Sequence, residues 1–223
     1  MPKYFLLSCC FYLSLISTFA QSWSSADYSK FDWKSFYKLS TAHQELNLSD
    51  IDYPLLHAAI FYVSNEFRER NRLKPFIYSD RIERLSADHA ADMVKYNFYG
   101  HFSKIRNKRT LRDRFQIVGL NPSGIAENIS STAAIQYEYG RKVNRPQSPG
   151  IFTYMSNKRE VIPNHTYLSY AKAIVQLWMD SPGHRANILN PGFIYMAAGS
   201  AVYPERSFYN MPYFMNVQCF SGR

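Results

Sequence analysis

The sequence predicts a single α+β domain, and three observations carry the prediction. Apolar residues recur at helical spacing early in the chain: Leu55, Leu56, Ala59, Ile60, Val63 and Phe67, then Ile82, Leu85, Ala90, Met93 and Val94. The clearest alternating stretches, Tyr195 to Tyr203 and Tyr213 to Phe220, come late and read as strands joined by a turn at Pro204-Glu205-Arg206. Helices first and strands last argue against a parallel sheet of βαβ units. A mature chain of about 200 residues is long enough to bury an ordinary core.

Residues 1–20 read as a signal peptide. Lys3 gives a positive start, Phe5 to Phe19 is mostly apolar, and Thr18-Phe19-Ala20 offers a small-residue cleavage site. The expected localisation is secreted or periplasmic. The apolar run is too short for a membrane span, so no transmembrane span is expected. Leu6-Leu7-Ser8-Cys9 looks like a lipoprotein box but comes too early to leave room for a hydrophobic region. Cleavage after Ala20 leaves Cys219 alone, so an internal disulfide is excluded. Cys219 lies in an apolar run and reads as a buried structural thiol, with a nucleophile as the competing reading.

Residues 21–50 form an extension rich in serine and aromatics, including Trp23, Tyr28, Phe31, Trp33, Phe36 and Tyr37. The rings suggest packing on the main body, residues 51–221; a carbohydrate-contacting surface is the sharper alternative. Ser49 is expected to cap the first long helix, which runs to about Asn71, with Arg68, Arg70 and Arg72 at the negative end of its dipole. Ser79 or Asp80 caps a second helix, about Arg81 to Phe98. His89, beside Asp88, reads as structural or exposed.

Lys104 to Arg114 carries six basic residues with Asp113 as its only acid. The formal charge is +9, or +8 once Lys3 leaves with the signal. No nucleic-acid-binding fold is recognisable and the chain carries an export signal. The stretch therefore reads as a solvated loop and short helix facing anionic envelope polymers, and no nucleic-acid partner is expected. Residues 131–166 show no helical period and read as an insertion. Tyr137, Tyr139, Phe152 and Tyr154 within it suit a partner surface, a lid or loop anchors.

Tyr167 to Leu177 is a third helical run, with Leu168, Ala171, Ile174 and Val175 on its buried face. Ser181-Pro182-Gly183 is expected to stop it, with Gly183 at positive φ and His184 just past the helix end. Gly100-His101-Phe102 again places a histidine after a helix. Glu127 sits in the apolar hexapeptide Gly124-Ile125-Ala126-Glu127-Asn128-Ile129, where a carboxylate needs a cation, a metal or hydrogen bonds. Convergence of His101, Glu127 and His184 is the expectation. Two imidazoles and a carboxylate suit zinc or another divalent metal with an open position. The plain alternative is that Glu127 bonds a histidine or a backbone amide and stiffens a cleft.

Gly100-His101-Phe102, Ala126-Glu127-Asn128-Ile129 and Trp178 with Ser181-Pro182-Gly183-His184-Arg185-Ala186-Asn187-Ile188-Leu189, in that order, resemble the bacterial branch of the CAP superfamily (cysteine-rich secretory proteins, antigen 5 and pathogenesis-related class 1 proteins). The resemblance implies a three-layer α-β-α sandwich and a cleft lined by two histidines and two acids. His101, Glu127 and His184 match three of these. The fourth position, three after Trp178, holds Ser181 in place of the second glutamate, which leaves an acid/base dyad in doubt. The resemblance implies a non-enzymatic module that binds a lipid, a glycan or an envelope polymer, with possible metal binding. The competing readings are a hydrolase using metal-activated water or Glu127 as general base, and a structural or adhesive envelope protein.

Overall fold

The computed structural model describes residues 23–148 and 150–223; the expected signal peptide lies outside them. A short helix α1 (Trp33–Phe36) precedes α2 (Tyr53–Arg70), β1 (Ile77–Tyr78), α3 (Asp80–Lys95), α4 (Leu111–Ile117) and β2 (Ile125–Ala133). After a long connection come α5 (Tyr167–Asp180), α6 (Pro182–Ile188), β3 (Tyr195–Glu205) and β4 (Met211–Ser221). The sheet order is β1-β3-β4-β2. β4 runs antiparallel to both its neighbours, and β1 pairs parallel with β3.

Period-two alternation sorts the layers. Met215, Val217 and Cys219 of β4 point into a core shared with Ile82, Leu85 and Met93 of α3 and Phe115 of α4. Phe214 and Phe220 point the other way, toward α2 and α5. The result is an α-β-α sandwich. Gly199 of β3 lets α3 lie directly on the sheet: a Cβ there would sit 2.0 Å from the Ala87 nitrogen.

α2 is buried almost all round, not on one face. Phe61 and Tyr62 pack against Trp23, Tyr28 and Phe36 of the N-terminal segment. Its cap is Asp52, not Ser49; the Asp52 side chain accepts from the Leu55 amide at 3.0 Å, and Pro54 follows in the first turn. α3 stops three residues short of Phe98. Asn97 takes a left-handed φ of 49°, and the Asn97 and Phe98 amides bond back to Val94 and Met93. Asparagine tolerates that conformation, a stop signal the apolar pattern conceals.

Residues 134–166 build a small core of their own. Ile135, Val143, Phe152, Tyr154 and Ile162 bury together with Met211 of β4, so Phe152 and Tyr154 are anchors, while Tyr139 remains exposed.

Candidate functional site

β2 was read in the sequence only as an apolar hexapeptide; it is a nine-residue edge strand, and the site is built on it. Consecutive strand residues face opposite layers. Glu127 faces the α3 layer and Asn128 the α5–α6 layer. Each holds one histidine-bearing segment.

Glu127 is almost wholly buried. Its Oε1 accepts from His101 Nδ1 at 2.9 Å, and its Oε2 accepts from Arg114 at 2.5 Å. His89 Nε2 lies 4.0 Å from Oε2, and Cys219 Sγ lies 3.7 Å from it. Burial pushes the carboxyl upward, but the His101 bond and the Arg114 charge outweigh it and hold Glu127 below its ordinary range. The bond to Glu127 turns Nε2 of His101 outward on a ring about half exposed, with 52% of its side chain accessible.

Asn128 donates to the His184 carbonyl at 3.2 Å and to Gln218 Oε1 at 3.1 Å, and accepts from Asn187 at 2.8 Å. α6 is thereby tied to the strand at both His184 and Asn187. Trp178 fixes α5 to the same edge, its indole donating to the Ile129 carbonyl at 3.3 Å. Tyr99, from the His101 side, bonds that carbonyl at 3.2 Å. Arg68 holds the far end of α6, donating to the carbonyls of Ile188 and Asn190 at 2.8 and 2.9 Å. It is buried and not a solvated residue at the helix dipole.

The turn differs from the sequence expectation. Ser181 ends α5 and is at once the N-cap of α6, so Pro182 and Gly183 begin a helix and His184 lies in its first turn. Gly183 is not among the glycines with positive φ, and a Cβ there would meet nothing within 4 Å. Proline at the first helical position starts a new helix as readily as it stops an old one. Partial burial, then the charge of His101, lower the His184 pKa from its ordinary value.

Sequence reasoning missed Arg114 and His89. Arg114 was assigned to a solvated basic run, yet it is 1% exposed and also donates to the His101 and Lys108 carbonyls at 3.1 and 3.3 Å. The signal was present: a buried carboxylate requires a cation, and Arg114 follows the Thr110–Asp113 capping box on α4 next to buried Phe115. Lys108 of the same run bridges Asp88 and Asp92 at 2.6 and 3.1 Å. His89 is fully buried. It bonds the Gly100 carbonyl at 3.1 Å through Nε2, its Nδ1 has no partner among the described residues, and burial lowers its pKa. Cys219 is also fully buried, and burial raises its thiol pKa far above the ordinary value, which suits a packing group.

Residues 61–220 match the model of the CAP family, the cysteine-rich secretory protein family. The chain belongs to the CAP family. An extracellular protein containing an SCP domain from Bacillus anthracis is similar at 21% identity and a TM-score of 0.50, over 78% of this chain and 42% of that one. An outer surface protein from Borrelia burgdorferi shows 14% identity and a TM-score of 0.47, over 74% and 91% of the respective chains. A cysteine-rich secretory protein from Staphylococcus aureus shows 16% and 0.47, over 77% and 39%. The chain thus spans well under half of the Bacillus and Staphylococcus proteins. No curated protein matches it. Among the described residues, no helix is long and apolar enough to cross a membrane.

The donor set at the cleft bears on how a metal would be held. Both oxygens of Glu127 are engaged, one of them by a guanidinium. No group of three or more His, Cys, Asp or Glu side chains among the described residues is arranged to hold a metal ion. With Oε1 on His101 and Oε2 on Arg114, Glu127 is placed to orient His101.

Proposed function

We propose that this CAP domain is an extracytoplasmic, non-enzymatic binding module whose ligand contacts His101 and His184 across the β2 edge. The observation that carries the reading is the double engagement of Glu127. A carboxylate held by Arg114 at 2.5 Å and by His101 at 2.9 Å, with its pKa lowered, is a weak base and a good anchor. Against the hydrolase reading, in which Glu127 acts as general base, stands the engagement of both its oxygens. A divalent ion at this cleft would be held by the imidazoles alone, with Glu127 behind His101 making it a better donor. Ser181 contributes as the residue that starts α6, since its side chain makes no capping bond.

Calorimetric titration of the mature domain with Zn²⁺ at pH 7, and with candidate lipids and envelope glycans, tests the reading. His101→Ala and His184→Ala should each abolish whatever binding is found. Glu127→Gln should weaken it without removing it. Binding that survives both histidine replacements would place the ligand elsewhere. Turnover of an ester or peptide that Glu127→Gln eliminates would restore the hydrolase.

A further inference from the structure

A second concavity lies where the N-terminal segment crosses α2 and β1, and neither His101 nor His184 lines it. Its volume is about 380 Å³, and its walls include Phe31, Trp33, Phe61, Phe76, Asp32 and Glu69. Three features define its chemistry.

First, the lining is rich in aromatic rings, and Tyr28 is stacked on Tyr78 at 3.6 Å in its wall. Second, Asp32 and Glu69 are its only charged lining residues, on a chain whose formal charge is +9. Third, several of its hydrogen-bond donors are already committed, though the Ser25 and Tyr28 hydroxyls have no hydrogen-bond partner among the described residues. Trp33 Nε1 donates to Glu69 Oε2 at 2.8 Å, Asn65 Nδ2 to the Phe76 carbonyl at 3.2 Å, and Ser29 Oγ to the Ala26 carbonyl at 3.0 Å. The Tyr62 and Tyr78 hydroxyls donate to the Tyr28 carbonyl and to Glu83. Asp32 uses Oδ1 for Ser35, and Glu69 uses Oε2 for Trp33, so the second oxygen of each is available. Bonds from Ser35 lower the Asp32 pKa from its ordinary value.

A pocket of ring faces and two carboxylates suits a cation. Asn65 also occupies the edge of the chain at Phe76, donating and accepting there, and so blocks addition of a peptide strand. We propose that this groove binds a small organic cation of the ammonium class, by cation–π contact with its rings and by charge with Asp32 and Glu69. Lys34 already places Nζ 5.4 Å from the Trp33 ring centroid, which makes it an intramolecular competitor for that ring.

The test is titration of the mature chain with choline chloride, followed by tryptophan fluorescence and calorimetry, against 3,3-dimethylbutan-1-ol, a neutral molecule of the same shape. Choline should bind saturably and at least about tenfold more tightly than the alcohol. Glu69→Gln should weaken choline binding about threefold or more, and Lys34→Ala should strengthen it. Circular dichroism and thermal melts confirm that each variant is folded. His101→Ala and His184→Ala should leave choline binding unchanged, which separates this site from the CAP cleft. No saturable choline binding, equal affinity for the alcohol, or a folded Glu69→Gln with unchanged affinity would overturn the proposal. So would displacement of choline by a neutral methyl glycoside, which would assign the groove to carbohydrate.

Discussion

On the α3 face of the sheet, Glu127 lies against Arg114, His89 and Cys219. On the opposite face, one residue along, Asn128 begins a chain of neutral groups through Gln218 to Ser64, with bonds of 3.1 and 2.7 Å. Beside it Asn216 donates to Tyr170 at 2.8 Å and to Thr132 at 3.2 Å, and accepts from Ser200 at 2.9 Å. Both faces bury polar atoms next to the same edge strand, yet they solve different problems. Amides and hydroxyls can share partners, so losing one weakens several bonds a little. The buried carboxylate has one fixed cation, Arg114, and losing it removes the charge that offsets its burial. The charged face therefore holds the cleft more rigidly and more vulnerably than the neutral face does.

The largest effect should come from the contact that brings the charged face together. Gly199→Val places a side chain against α3 backbone only 2.0 Å from the site of its Cβ, and α3 must leave the sheet. We expect loss of soluble folded protein and no cooperative transition in circular dichroism. A normal melt would mean that α3 does not lie on β3.

Next come matched deletions on the two faces. Arg114→Ala should cost about 3–5 kcal/mol in urea denaturation, because it removes the buried cation from Glu127 Oε2 and leaves only the His101 bond. Asn216→Ala should cost about 1–3 kcal/mol, the range for buried hydrogen-bonding groups. Equal costs would erase the distinction.

pH sharpens it further. The folded-state pKa of Glu127 lies below its unfolded value, so its stabilisation is fully present above the unfolded pKa, about 4.3, and is lost as pH falls through the folded value. The destabilisation caused by Glu127→Gln should thus be largest at neutral pH and shrink in acid. That of Asn216→Ala should stay level over the same range. Parallel curves for the two variants would show that Glu127 is not ionised in the fold.

The smallest effects belong to the exposed rim. His101→Ala and His184→Ala should each cost about 1 kcal/mol or less, since neither ring is part of a packed core. Gly183→Ala should be neutral or stabilising by up to about 1 kcal/mol, because the position is helical and open. A large loss in that variant would mean that the first turn of α6 needs glycine after all.

Much of this was written locally. Helical spacing at Leu55 to Val63, alternation at Tyr213 to Phe220, and the order of His101, Glu127 and His184 motifs depend on short-range periodicity. They identified the α+β class and the CAP resemblance without coordinates, and the resemblance in turn implied the three layers. The need of Glu127 for a partner was also legible, because an ionised group among isoleucines cannot remain unsolvated. Which partner it takes was not. Arg114 looks like its five basic neighbours, and only the packing of α4 against β2 removes it from water. Likewise Pro182-Gly183 reads equally as the end of one helix or the start of the next. Asn128 binding His184 and Asn187 settles that α6 follows. Side-chain chemistry is set by sequence, but burial and pairing depend on elements brought together across long separations, and those decided how the cleft is held.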